Sequence, residues 1–353
     1  MKILNNVKNY FSPTAFFRVR DIFLLIFDKL GVNEIFRIKN KNCFIILFYH
    51  GISHRFIKFS QRHVSKIEFE KQIRYLMKKN YTFISLSHLA SNFKRLKNSH
   101  KNYIILTFDD GFKNVIENAY PVMKKYNAKG SLYVVSDLIG KDKLLWTDYI
   151  ELLIRNTNNS KFNFVFKNEI IHYLLNSEKQ IQNACDDIKY KLRSLSNYER
   201  LSHLEQFKIP NNISSFKYVP IEYIVANWDE LRMLDRNVLE IGCHTKTHPN
   251  LDNLITEQEF YDELMESKLD IERNMGYKVN HLCYPAGVHN NRIIQYAKKF
   301  DYLTATTTIK GFNTYKTDLF RLKRVQMKNN FILFKAKISG LYFFIKKLVI
   351  EVI

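Results

Sequence analysis

Tyr103-Ile104-Ile105-Leu106-Thr107-Phe108-Asp109-Asp110-Gly111 runs from six apolar, aromatic or β-branched residues straight into two adjacent carboxylates and a glycine. A continuous run of this kind, bounded by a turn signal, reads as a strand buried on both faces, the sort that parallel sheets use. Chemistry placed immediately after such a strand sits where parallel α/β folds carry their reactive loops. Working outward, Cys43 to Tyr49 and Tyr81 to Leu86 also read as buried strands, separated by a helix through Phe69, Ile73, Leu76 and Met77. Downstream, the pattern after Gly111 is helical to Tyr126, and Leu132 to Val135 is another strand. The rhythm resumes at Val238 to Cys243, then a helix opened by a Thr256/Glu259 capping box and closed near Gly276, then strands at Leu282 to Tyr284 and Tyr302 to Thr307. Strand, helix, strand repeated this way predicts an α/β fold with parallel pairing, as an open doubly wound sheet or a barrel.

The section from Lys141 to Ala226 departs from that rhythm: it is rich in lysine and asparagine, with a strand-like Phe162 to Phe166 and two or three helical stretches, and reads as a mixed, mainly helical insertion (141–226). No internal repeat or Gly/Ser-rich linker marks a boundary. At the N-terminus, Ser12 and Pro13 suit an N-cap and first helical position, and Gly31 would end a basic helix whose apolar face includes Phe16, Phe17, Phe23, Leu24 and Phe27. The tail repeats the theme with Phe331, Phe334, Ile338, Leu341, Ile345 and Leu348 beside Lys335, Lys337, Lys346 and Lys347. The division is therefore a basic amphipathic segment (1–42), a main domain (43–330) and an amphipathic tail (331–353). Each flank either packs on the domain or lies on an anionic membrane surface.

With 353 residues, 46% hydrophobic, the chain can bury a full-sized core, and a formal charge of +21 favours a polyanionic partner. Its longest apolar runs fall well short of the ~18 residues of a spanning helix. The N-terminal apolar stretch is broken by Arg18, Arg20, Asp21 and Asp28 with no small-residue cleavage site after it, so the expected compartment is cytoplasmic, with a peripheral place at the inner membrane face. Cys43, Cys185, Cys243 and Cys283 lie far apart, which argues against a disulfide framework and for reduced thiols.

Three loops carry the chemistry. Asp109 and Asp110 are too close to share one role: with one on a cation, the other is free to act as a base. His244-Thr245-Lys246-Thr247-His248 follows another strand and offers two imidazoles that can converge on one ion, and with a carboxylate they make the His/His/Asp set that leaves zinc a position for water. Cys243 alternates away from His244 into the core. In Cys283-Tyr284-Pro285-Ala286-Gly287, proline and glycine shape a turn whose N–H groups can face an oxyanion.

The ordered set Thr107-Phe108-Asp109-Asp110-Gly111, His244-Thr245-x-x-His248 and Tyr284-Pro285-x-Gly287 resembles the polysaccharide deacetylases, carbohydrate esterase family four. The opening Phe48-Tyr49-His50-Gly51-Ile52, with Phe69, Gln72 and Leu76, is similar to the branch holding the biofilm poly-N-acetylglucosamine deacetylases. The resemblance spans about Cys43 to Val325 apart from the insertion. It implies a distorted (β/α) barrel of about seven parallel strands and hydrolytic removal of N-acyl groups from sugars of a cell-surface polysaccharide. It also implies Asp110, His244 and His248 as ligands of a divalent metal, usually zinc, Asp109 as general base, and the Ala286 N–H at the oxyanion. Tyr284 and Pro285 would then border the substrate, and Trp146 is the aromatic ring assigned to the sugar face. The family's arginine two residues before the proline is replaced by Cys283, and Arg324 is the candidate substitute. The family's late Leu-x-His is absent, which makes His50, in the early Tyr-His, the candidate acid.

Charge and the absence of a signal sequence point to a lipid-linked or nucleotide-activated N-acetylated precursor. A second reading, a non-catalytic glycan-binding or scaffold protein, is motivated by the missing arginine; a complete ligand set beside Asp109 argues against it. Nucleic-acid binding is disfavoured because the positive charge is spread along the chain without a recognised module.

Overall fold

Seven short strands, mostly buried, form the centre of the computed structural model, which describes residues 13–55, 62–99, 101–206 and 219–351. They are β1 (Cys43–Tyr49), β2 (Asn102–Phe108), β3 (Gly130–Val134), β4 (Leu239–Cys243), β5 (His281–Cys283), β6 (Thr304–Lys310) and β7 (Leu322–Gln326). Each pairs in parallel with the next in the chain, and β7 pairs with β1, so the sheet closes on itself. This is a (β/α) barrel with seven staves, and every C-terminal strand end opens on one rim.

Because the sheet is closed, alternate residues of each strand face either the bore or the surrounding helices. On β2, Ile104, Leu106 and Phe108 belong to the large cluster under the helices, whereas Tyr103 and Ile105 pack inside the bore with Phe44, Ile46, Tyr133 and Leu322. The same alternation turns Thr107 inward, and Asp109 is the next bore position at the rim. Leu86, Leu89 and Leu96 of the helix Leu86–Lys97 plug the opposite end.

Two expectations change. The stretch Tyr81 to Leu86 is a strand only over Tyr81–Phe83 and is not a stave: it pairs with Asn102–Ile104, below the level where β3 takes over that edge of β2. Ser85 ends it by capping the next helix, its hydroxyl accepting from the His88 N–H at 3.0 Å, so Leu86 belongs to the helix. The seventh stave is instead Leu322–Gln326, whose Leu-Lys-Arg-Val-Gln hides its alternation because the inward residue after Leu322 is Arg324.

The insertion folds around its own core, with the helix Trp146–Arg155, the hairpin Lys161–Phe166/Glu169–Leu174 and the helix Glu178–Arg193 enclosing Ile150, Phe162, Phe164, Cys185 and Ile188. The helices Pro13–Lys29, Val32–Lys39, Phe331–Ser339 and Leu341–Glu351 form a further layer, with Leu24, Leu333, Ala336 and Leu341 buried between them. Of the expected first-helix face, Leu24 is buried, Phe27 is partly buried and Phe23 faces outward, while Ser12 and the side chains of Phe16 and Phe17 lie outside the described residues. Among the described residues no helix is long and apolar enough to cross a membrane, and no disulfide is formed.

The parallel barrel is packed tightly enough to reject a methyl group at Gly130. A Cβ there would stand 2.4 Å from the Leu106 carbonyl oxygen, which the ladder holds in place. Gly130→Ala is expected to cost ~1–3 kcal/mol, read from the urea unfolding midpoint.

Candidate active site at the strand ends

Strand register brings the loops together before any side chain is considered. β1 and β2 are paired from Phe44/Tyr103 to Tyr49/Phe108, and the Asp109 N–H donates to the Tyr49 carbonyl at 3.1 Å, so His50 and Asp109 leave the barrel side by side. The His244 N–H donates to the Val134 carbonyl at 2.8 Å, and the Tyr284 N–H to the Thr306 carbonyl at 3.1 Å, which sets the other two loops on the same rim. Backbone strain concentrates here: Asp110 (φ 74°), Thr245 (φ 68°), His248 (φ 59°) and Ala286 (φ 52°) are all left-handed without being glycine. Such conformations cost ~1–3 kcal/mol each and persist only where the surroundings over-determine them.

Asp110, His244 and His248 meet as a trio. The Asp110 Oδ1 lies 3.5 Å from His244 Nε2 and 3.8 Å from His248 Nε2, longer than ordinary N–H···O bonds, and all three are largely buried. The His244 Nδ1 is 2.8 Å from the Cys283 carbonyl, an acceptor, so Nδ1 carries hydrogen and Nε2 faces Asp110. Burial, with the His244 charge, depresses His248 to about 3, leaving it neutral. Burial would raise the Asp110 carboxyl, but His244, His50 and His248 hold it well below the usual carboxylate range. For His244, burial pulls down, and the Cys283 thiol and the two aspartates outweigh it, raising it well above its ordinary value. Two imidazoles and an ionised carboxylate, spaced too widely to satisfy one another, fit a divalent cation of the zinc type.

Asp109 has a different partner. Arg324, fully buried in the bore, forks onto it with Nη1 to Oδ1 at 2.7 Å and Nη2 to Oδ2 at 2.8 Å. The remaining donors reach the Thr307 carbonyl from Nε at 2.8 Å, Thr107 Oγ1 at 3.3 Å and Cys283 Sγ at 3.2 Å, and the guanidinium lies 4.1 Å from the Phe48 ring centre. Burial would raise the Asp109 carboxyl, and the Arg324 charge and hydrogen bonds reverse this and keep it ionised. Cys283 thus stands beside an arginine delivered from another strand. His50 packs against Phe48 with ring centres 4.8 Å apart; burial lowers its pKa, against the pull of Asp110 and Asp109.

In the third loop, Gly287 has φ 75°, and a Cβ on it would stand 2.1 Å from Thr308 Oγ1. That hydroxyl donates to the Ala286 carbonyl at 3.0 Å, and Tyr284 stacks on His289 with ring centres 5.4 Å apart. Trp146 is not a cleft ring: it is 6% exposed within the insertion core, and its indole N–H donates to the His248 carbonyl at 3.0 Å. The ring that was expected to stack on sugar instead anchors the histidine loop.

Several supports escaped sequence reasoning. Glu263 accepts from the Lys246 and Thr247 N–H groups, each at 3.0 Å, and Arg200 donates to the Thr247 and His248 carbonyls, each at 3.2 Å. Glu263 lies in a π-helical turn, Tyr261–Glu266, and a second such turn, Val115–Ala119, follows the Asp109–Asp110 loop. Arg62 lies 3.7 Å from the far oxygen of Asp110 and is paired with Asp148 of the insertion. No spacing rule flags these residues, which are separated from the motifs by an insertion or a helix.

A barrel with reactive carboxylates and imidazoles on its C-terminal rim is the frame of many hydrolases, and a closer relationship is detectable. The polysaccharide deacetylase family model matches residues 96–195 and 203–305, and the chain belongs to that family of enzymes. The match runs through most of the insertion. A poly-β-1,6-N-acetyl-D-glucosamine N-deacetylase of Staphylococcus aureus is 23% identical over 182 residues, 51% of this chain and 60% of that protein. The chain spans 33% to 60% of the length of the curated relatives it matches. Among solved structures, the Streptococcus pyogenes deacetylase PplD in complex with acetate shares the fold, with a TM-score of 0.54 at 17% identity over 82% of this chain and 93% of that one. IcaB from Ammonifex degensii gives 0.54 at 14% identity over 84% and 97%.

Removing Arg324 leaves a buried carboxylate without a counter-charge. Arg324→Met is expected to lose about 3–5 kcal/mol of stability in urea unfolding, and adding Asp109→Asn to recover much of that loss.

Proposed function

We propose that the chain is a metal-dependent hydrolase that removes N-acetyl groups from the sugars of a cell-surface polysaccharide or its precursor. The observation that carries this reading is an ionised, arginine-held Asp109 beside a carboxylate–imidazole trio on an open barrel rim. Family membership and the staphylococcal relative's named activity supply the substrate class.

Asp110, His244 and His248 would hold the cation, zinc by the chemistry of the donor set. When bound, it polarises the amide carbonyl and makes water a competent nucleophile near neutral pH. Asp109 would take the proton from the attacking water: Arg324 keeps it ionised and fixes its position with two hydrogen bonds. The Ala286 N–H, on the strained turn that Gly287 and Thr308 hold, steadies the negative charge that develops on the carbonyl oxygen. His50, leaving the barrel beside Asp109, delivers a proton to the departing sugar amine. Tyr284 and Pro285 are both buried, Tyr284 with its hydroxyl donating to the Phe320 carbonyl at 3.2 Å, so they support the Ala286 turn from behind and do not line the substrate as the resemblance implied.

Metal content and acetate release from N-acetylglucosamine oligomers test the assignment. Wild type is expected to carry about one zinc per chain and to release acetate; His244→Ala loses both. Asp109→Asn and His50→Ala keep zinc and lose about 10²–10⁴-fold in turnover. Full activity in His50→Ala removes it from the mechanism, and a wild type that binds no metal removes the trio's assigned role.

A further inference from the structure

The helix Pro13–Lys29 and the turn after it wear their apolar stripe on the outside. Val19, Ile22, Phe23, Ile26 and Leu30 follow the i, i+3, i+4, i+7, i+11 spacing of one helical face, and they are 39% to 70% exposed. The face turned to the body mixes polar and apolar contacts: Asp21 accepts from Asn330 Nδ2 at 2.8 Å, and Asp28 accepts from Asn33 Nδ2 at 2.8 Å and Lys335 Nζ at 2.6 Å, beside the buried Leu24 and the partly buried Phe27. The next helix, Val32–Lys39, packs Val32 and Phe36 on the same cluster and buries Asn33 against Ser339, and it too turns apolar residues, Ile35 and Ile38, outward. Phe344 and Leu348 of the last helix extend the surface, since Phe344 lies 5.0 Å from Phe36 ring to ring. Ten of the twenty-five large apolar side chains that are exposed among the described residues fall in 13–39 and 341–351. An apolar stripe on a surface helix normally faces the core, and its display outside calls for a partner.

Charge selects the partner. The three acids of residues 13–42 are all engaged within the protein: Asp21 and Asp28 as above, and Glu34 with Arg37 at 2.8 Å and with Lys79. Lys29, Lys39, Lys41, Lys346 and Lys347 are exposed around the apolar surface. A second copy of the chain would bring these cations against each other, whereas an anionic headgroup layer would neutralise them.

We propose that the terminal helical layer docks on an anionic lipid bilayer, lying in the interface with Ile22, Phe23, Ile26, Leu30, Ile35 and Ile38 at the acyl boundary and the lysines among the headgroups. Helices of this composition and length lie on a membrane rather than span it. The docking does not depend on the deacetylase reading, and its readout is separate from turnover.

The test is co-sedimentation of the full chain with phosphatidylcholine vesicles with and without phosphatidylglycerol. The expected result is binding that needs phosphatidylglycerol, falls with added salt, and drops at least roughly tenfold in Ile22→Glu/Ile26→Glu and in Lys346→Glu/Lys347→Glu. Acetate release from soluble oligomers and the urea midpoint should stay at wild-type values in both variants, since the altered side chains are exposed. Absence of vesicle binding by the wild type, or equal binding by the variants, overturns the proposal. So does a wild-type dimer in analytical ultracentrifugation that Ile22→Glu/Ile26→Glu dissociates, which would give the face to a second copy.

Discussion

A guanidinium clamped onto a carboxylate inside a barrel is the constraint around which this site is arranged. Taking Arg324 and Asp109 out of water is costly, and the cost is tolerable only because the guanidinium is hydrogen-bonded on every side and the pair is bidentate. The clamp links β7 to the end of β2 through the middle of the barrel, so the position of Asp109 is set by two strands rather than by a loop. It also separates the roles of two neighbouring carboxylates. Asp109 is neutralised by a fixed cation below the rim, whereas Asp110, turned by its left-handed backbone, faces the imidazoles. Two adjacent aspartates can then both remain ionised, which simple proximity would forbid.

The rim itself is strained, and the strain is held in place from behind. The histidine loop has its N–H groups taken by Glu263, its carbonyls by Arg200 and Trp146, and its Thr245 hydroxyl by the His248 N–H at 3.0 Å. The π-helical turn that carries Glu263 shifts the helix face by one residue, which lets a buried carboxylate reach the loop instead of the core. Most of these bonds come from outside the loop. That explains how non-glycine residues remain in conformations they would leave in a free peptide.

What could be read from the sequence follows the range of the interactions. Strands buried on both faces announce themselves as apolar runs, so β1, β2 and β4 and the loops after them were visible within a residue or two. β7 was not, because the barrel demands an arginine at its inward position and that breaks the apolar run. The pairing of Arg324 with Asp109 spans 215 residues and has no local signature, so only the absence of an arginine at Cys283 drew attention to it. Trp146 was misread for a related reason. An aromatic residue near a cleft in sequence says nothing about which way its ring turns, and here the insertion's own core claims the ring while the N–H reaches out to His248. Glu263 and Arg200 bond to backbone, and backbone offers no residue type to match against.

The hydrogen bond from Trp146 to the His248 carbonyl has a further implication for how the enzyme ages under heat. The lobe that supplies Trp146, Arg200 and Asp148 has a small core of its own, separate from the large one around the barrel. Regions with less buried apolar contact open at lower free energy than the main core. The histidine loop therefore takes part of its order from the smaller of the two cores. Opening of the lobe alone would withdraw Trp146 and Arg200 from the loop's carbonyls while the barrel's own core stayed closed.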